Sequence, residues 1–113
     1  MIKIIDQKIS EAEVKEFLGQ PFSEMIKFVA DIRQEQLALG GQLHADGEKI
    51  LLENGSRQED LWGGNYYPAN EKDKRIQYQS MINIRPGAGN FSMEVSNPGI
   101  REKMRALVEK LLA

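Results

Sequence analysis

The residues best suited to chemistry are concentrated between positions 40 and 68. This stretch, GGQLHADGEKILLENGSRQEDLWGGNYYP, contains the only histidine and the only tryptophan of the 113-residue chain. His44 together with Glu59 or Asp60 would supply the proton donor and acceptor of an acid–base catalyst. Because glycines interrupt the stretch, we expect loops here, and loops carry a large share of functional residues.

A second pattern, His44–Asp46–Glu48, has the spacing that places three ligands on one side of a strand, where they would suit a metal ion. However, Asp46–Gly47 is a favoured two-residue hairpin turn, which would point the three side chains in different directions. The acidic pair at 59–60 follows Ser56 at capping-box spacing, where negative charge stabilises a helix start. We therefore expect no cofactor, and we lean away from an enzyme.

Aromatic and amide side chains suggest binding instead. Trp62 and Tyr66 would either stack on a ligand or anchor their loop in the core, and the sequence leaves both interpretations open. Arg85, within SMINIRPGAGN, suits a carboxylate or phosphate partner because its guanidinium can form paired hydrogen bonds. The candidate binding residues are His44, Glu59, Asp60, Trp62, Tyr66, Asn83, Arg85 and Asn90.

Composition narrows the classes of protein. The chain has 41% hydrophobic and 28% charged residues, a net charge of −2 and no cysteine. The acidic balance disfavours nucleic acid as a partner. The absence of cysteine excludes disulfides and fits a reducing compartment. With no long apolar run, we expect a cytoplasmic protein without membrane contact.

Periodicity predicts the elements that would position these residues. Ile2–Ile5 indicates a strand, and Ser10 with Glu13 caps a helix that continues, kinked or as a pair, through an apolar stripe from Phe22 to Leu37. The further predictions are a hairpin over 43–52, a helical turn over 58–62 stopped by Gly63 and Gly64, strands over 76–85 and 91–95 around the turn PGAGN, and a helix capped by Asn97.

These elements predict one α+β domain over residues 1–113. It has a mostly antiparallel sheet of about five strands, with a kinked N-terminal helix or helix pair and a C-terminal helix packed on one face. The other face is expected to be partly open, with His44, Asn83 and Arg85 lining it. The order strand, two helices, strands also broadly resembles the RelE/ParE toxin scaffold, although those toxins use basic surfaces.

Three runs, QLHADGEKILLENGS, QEDLWGGNYYP and SMINIRPGAGN, resemble a small bacterial domain family of unknown function in which proteins have about this length. The resemblance covers nearly the whole chain and implies no activity. Gly64 and Phe91 depart from the pattern, which favours a larger apolar residue and an arginine there.

The leading functional hypothesis is a non-enzymatic module that binds a small polar ligand, a protein partner or a second copy of itself. A small hydrolase or nuclease-like enzyme using His44 with Glu59 or Asp60, and Arg85 as an anion clamp, is the first alternative. A toxin of the RelE/ParE type is the second.

Overall fold

The computed structural model describes residues 1–112. Five antiparallel strands form one open sheet in the order β1-β3-β2-β4-β5, with helices on both faces. The strands are β1 (Ile2–Ile5), β2 (Ile26–Asp31), β3 (Gln36–Gly40), β4 (Leu61–Tyr66) and β5 (Ile76–Gln77), and the helices are α1 (Glu11–Lys15), α2 (His44–Glu53) and α3 (Pro98–Leu112). The predicted α+β class, with its mostly antiparallel five-stranded sheet, is confirmed.

The larger core lies between one face of the sheet and α3. Phe28 and Trp62 on this face pack in one buried cluster with Met104 and Val108 of α3, and Val14 of α1 joins the same cluster. The N-terminal and C-terminal helices therefore share a face, as predicted. Both predicted caps are present: Ser10 and Glu13 bond reciprocally, and the Asn97 side chain accepts from the first amides of α3.

Helix α2 packs on the opposite face, so the predicted hairpin over 43–52 is wrong. Of the face that was expected to be partly open, one end stays accessible at His44. Leu51 of α2 packs with Val29, Ala38 and Leu61 in a second, smaller core. Gly47 does not form a turn, because it is buried where the helix approaches the sheet: a β-carbon here would lie 3.1 Å from Val29 Cγ2. A turn signal and a close-packing glycine look the same in a single sequence.

The second helix predicted from Pro21 to Leu37 is also wrong, since this segment forms β2 and β3. Strand β2 is buried on both faces, so its apolar residues run almost continuously and imitate a helical stripe. The Asp31 carboxylate closes the connection to β3 by accepting from the amides of Arg33 and Gln34 and from the Ser56 hydroxyl. The element order on which the toxin likeness depended is therefore absent.

The segment after β4 is less regular than predicted. Strand β5 has two residues, and the strands expected over 76–85 and 91–95 are reduced to isolated bridges at Gln79–Glu94 and Arg85–Asn90. The PGAGN turn is confirmed by reciprocal backbone bonds between Arg85 and Asn90.

Residues 58–60 form a single 3-10 turn that leads into β4. Gly63 and Gly64 lie inside that strand rather than after a helix. The capping box predicted at Ser56 does not form, because the Ser56 hydroxyl donates to Asp31 instead. The buried Asp31 carboxylate needs hydrogen-bond donors, and this need determines the partner of Ser56 in place of the local capping pattern.

Candidate functional site

A cavity of about 500 Å³, here called the His44 pocket, lies where the amino end of α2 meets β2, β4 and the segment after β5. Its lining residues are Lys27, Leu43, His44, Ala45, Asn65, Gln79, Ser80, Met81, Ile82 and Met93. Three of the apolar side chains are strongly exposed: Leu43 (59%), Met81 (75%) and Met93 (44%). The pocket therefore combines a polar floor with an exposed apolar rim.

Strand register brings the polar floor together. Lys27 of β2 lies opposite Asn65 of β4, which in turn lies opposite Gln77 of β5. Side chains at such paired positions share one face of the sheet. Lys27 and Asn65 of this face line the pocket together with His44, whose ring packs against Gly63 of β4.

His44 is held against β4 by a hydrogen bond. Its Nε2 lies 2.8 Å from the Gly64 carbonyl oxygen. Because a carbonyl only accepts, Nε2 carries the proton and Nδ1 keeps the lone pair in the neutral ring. Burial lowers the pKa of His44 from its usual 6.5, and nearby Lys27 lowers it further, while the Gly64 carbonyl and the Asn65 amide act in the opposite direction. The ring is therefore neutral near pH 7.

Asn65 is buried beside this ring, and only the nitrogen of its side-chain amide has hydrogen-bond partners. Its Nδ2 donates to Gln77 Oε1 at 2.9 Å and also to the Gln79 carbonyl, and this fixes the orientation of the amide. Its Oδ1 is the one buried side-chain polar atom within residues 1–112 that has no hydrogen-bond partner. Such an atom carries a desolvation cost that a proton donor would relieve.

Glycine at position 63 allows His44 and Ser80 to lie directly on the strand. A β-carbon here would lie 2.6 Å from Ser80 Cβ and 3.2 Å from His44 Cδ2. Gly64, on the other face, is similarly constrained, since its β-carbon would overlap the Phe28 ring. The Phe28 ring thus fills the space that a larger side chain at position 64 would need.

The structure brings Arg85 and Trp62 together but separates them from His44. The guanidinium carbon of Arg85 lies 4.3 Å from the centroid of the Trp62 ring, and the side chain donates to the carbonyls of Gln58, Leu61 and Ile82. Trp62 is only 3% exposed, so it anchors the core. Because side chains alternate along β4, Trp62 points away from the face that carries His44. The three groups do not form one surface.

Asn83 and Asn90 are buried and bonded to backbone. Asn83 accepts from the Gly63 amide at 2.8 Å and donates to the Gly63 and Met93 carbonyls. Asn90 donates to the carbonyls of Asn83, Ser92 and Glu94, and its Oδ1 accepts from Ser96. The Asn83 amide holds the segment after β5 against the edge of β4, whereas the Asn90 amide bonds only within that segment. Their predicted role in binding stays a prediction.

The acidic candidates lie at the other end of β4. The Asp60 carboxylate pairs with Arg33 and Arg57, and Glu59 pairs with Arg57. About four residues of extended chain, roughly 13 Å, separate Asp60 from Gly64, the contact of His44. Among the described residues, none of the groups that shift the pKa of His44 is a carboxylate. The pairing required by the hydrolase alternative is not formed.

Tyr66 contributes to a different cavity, of about 470 Å³, between β4, β5 and α3. Tyr78, Arg75 and Arg105 also line it. Arg105 is already paired with Glu102 and Glu109. The cavity thus combines a neutralised Arg105 with further charges of both signs, whereas the His44 pocket has a single charged lining residue.

The sequence interpretation missed Lys27 and Asn65, which both line the His44 pocket. Neither Lys27 nor Asn65 belongs to a local motif, and they meet only when β2 pairs with β4. No local signal marks Lys27, because it is a single polar residue within the almost continuous apolar run of β2.

Within residues 1–112, no group of three or more His, Asp or Glu side chains is arranged to hold a metal ion. The described helices also include none that is both long and apolar enough to cross a bilayer. The predicted cytoplasmic location and homo-oligomer stay predictions.

A family model described as protein of unknown function (DUF5674) matches residues 3–111. The chain therefore belongs to this family, in agreement with the resemblance inferred from its three runs. No curated protein and no solved structure matches the chain significantly.

Proposed function

We propose that this DUF5674 domain is a non-enzymatic module that binds a small, mainly apolar ligand in the His44 pocket. The observation that supports it is the exposed apolar rim of Leu43, Met81 and Met93 around a concave site with a polar floor. Ligand sites in proteins usually combine apolar walls with a few polar groups that orient the ligand.

Burial of the rim provides the binding energy. Covering apolar surface contributes about 25 cal/mol per Å². The two methionines are flexible and polarisable, so they can adapt to a ligand of variable shape. His44, Ser80 and Gln79 supply hydrogen-bonding groups at the base of the pocket.

Catalysis is not part of the proposal. Acid–base catalysis by histidine is most effective when a second group orients the ring and a substrate site adjoins it. His44 is instead oriented by the backbone carbonyl of Gly64. Ser80 Oγ accepts from the Ile82 amide, as a capping group does.

The test is a titration of isotope-labelled protein with 1-hexanol, a neutral apolar probe, followed by amide and methionine-methyl NMR signals. We expect saturable shifts at residues 43–45, 79–82 and Met93. Met81→Gln should weaken binding by at least about threefold, because it makes the rim polar at nearly constant volume.

Phe91→Gln is the matched control. Phe91 is as exposed as Met81, at 75%, and lies in the same segment, but it does not line the pocket. Hexanol affinity should therefore be unchanged in this variant. Shifts scattered over the surface, or equal losses in both variants, would contradict the proposal.

A further inference from the structure

The His44 pocket has one uncompensated positive charge. Lys27 is the only residue among its ten lining residues that carries a formal charge near pH 7. None of the ion pairs found within residues 1–112 includes Lys27. Its ammonium lies 5.3 Å from the centroid of the Phe22 ring, a contact that leaves the charge unneutralised.

The amino end of α2 adds to this positive character. Leu43, at the N-cap position, gives the helix no side-chain hydrogen bond, and residues 43–45 line the pocket. The first amides of a helix lack partners within it and carry a partial positive charge. The buried Asn65 amide lies beside the same floor, and its unpartnered Oδ1 can accept from the protonated His44 ring but not from an anion.

These features select the charge of the ligand. A single ammonium and one helix end match a monoanion, whereas the second charge of a phosphate dianion would find no further cation among the lining residues. No arginine lines the pocket. The exposed rim of Leu43, Met81 and Met93 requires that the rest of the ligand be apolar.

The geometry points to a monocarboxylate with an apolar chain as the ligand of the His44 pocket, its carboxylate at Lys27 and the amino end of α2. The inference rests on the proposed function and adds the chemical class of the ligand. It also couples binding to protonation of His44. The charged group that acts on the ring is Lys27 of β2, whereas Asp46, in the first turn of α2, is exposed and does not line the pocket.

Protonation is coupled for an electrostatic reason. A carboxylate beside Lys27 cancels the repulsion that Lys27 exerts on a charged imidazolium, and Asn65 Oδ1 lies beside the ring ready to stabilise that form. The single histidine of the chain makes this coupling directly measurable.

The experiment compares hexanoate with 1-hexanol, which share a chain and differ in the head group, and with inorganic phosphate. NMR titrations at pH 7 would give affinities for the wild type, for Lys27→Gln, and for Lys49→Gln. Lys49 is an exposed lysine of α2 outside the pocket. The pKa of His44 would be followed by its ring-proton shifts.

We expect hexanoate to bind at least about fivefold more tightly than hexanol to the wild type and to Lys49→Gln, and no more tightly than hexanol to Lys27→Gln. Hexanoate should raise the pKa of His44, and hexanol should not. The wild-type comparison is decisive even if Lys27→Gln does not fold.

Hexanol binding at the pocket with no preference for hexanoate would overturn the inference and leave the proposed function intact. Tighter binding of phosphate than of hexanoate would also overturn it. Binding of none of the three probes would overturn the proposed function itself.

Discussion

At the scale of single residues, several side chains with apparent binding chemistry complete the backbone bonding of β4. Strand β5 pairs only with Asn65 and Tyr66, so the rest of this edge of β4 needs other partners. The Asn83 amide bonds both the amide and the carbonyl of Gly63, and Arg85 bonds the Leu61 carbonyl. Buried backbone groups must be paired, and these side chains replace a neighbouring strand.

Asn83→Asp tests this role. The aspartate keeps the acceptor for the Gly63 amide but loses both donors and places a buried negative charge against the Gly63 and Met93 carbonyls. The expected loss in the free energy of unfolding is about 3 kcal/mol or more, measured by urea denaturation.

The matched control is Asn70→Asp. Asn70 is exposed, and its Nδ2 donates only to the Lys74 carbonyl in a surface loop. The free energy of unfolding of the Asn70→Asp variant should change by less than about 1 kcal/mol. Similar losses at both positions would show that Asn83 has no special role.

The sequence identified Asn83, Arg85 and Asn90 as noteworthy residue types but not their partners. The partners of Asn83 and Arg85 on β4 are about twenty residues or more away along the chain. No local pattern encodes that pairing. By contrast, the caps at Ser10 and Asn97 were predictable because donor and acceptor lie within three residues of each other.

At the scale of elements, the two main errors have different causes. β2 is buried on both faces, so it lacks the alternation of a half-buried strand. α2 lies on the surface with only Gly47 and Leu51 buried, so its apolar stripe is too short to outweigh the turn signal of Asp46–Gly47. β1 and α3, each with one exposed side, were predicted correctly. Gly47 illustrates the difficulty, since its role depends on Val29 and Ala38, which the sequence places in another element.

Gly47→Val tests whether the close approach of α2 to the sheet depends on this glycine. A β-carbon lies only 3.1 Å from Val29 Cγ2, so a branched side chain must displace the helix. Overpacking of this kind costs about 1–3 kcal/mol. We expect a lower urea midpoint and changed NMR shifts for His44, because His44 is on the same helix.

Gly87→Val provides the control for the glycine substitution. A β-carbon at Gly87 meets no atom within 4 Å and its backbone is not in the left-handed region. Stability should change by less than about 0.5 kcal/mol. An equal effect of the two substitutions would exclude helix–sheet contact as the reason for Gly47.

At the scale of the whole molecule, composition and cap signals were sufficient to predict the α+β class. They did not predict on which face of the sheet each helix packs. Helix α2 packs on much of the face that was expected to be partly open, and the accessible site is a pocket at one end of that face. His44 therefore belongs to a local pocket rather than to a broad platform. Its burial there links the site to the stability of the entire fold.

The stability of the protein should consequently depend on pH through His44. Burial lowers the pKa of His44 in the folded state from the 6.5 expected in the unfolded chain. Above 6.5 the ring is neutral in both states and the stability is unaffected. As the pH falls through 6.5, the unfolded chain takes up a proton more readily, so the free energy of unfolding decreases until the folded ring is also protonated.

Urea denaturation of the wild type and of His44→Gln between pH 5.5 and 8 would measure this dependence. The glutamine retains an amide donor for the Gly64 carbonyl but cannot titrate. As the pH is lowered from 8 to 5.5, we expect the urea midpoint of the wild type to decrease and that of His44→Gln to stay nearly constant. Glu13 and Glu102 do not interfere, because their pKa values lie below the usual 4.5 and outside this range. Equal slopes for both proteins would show that His44 is not buried as a neutral ring.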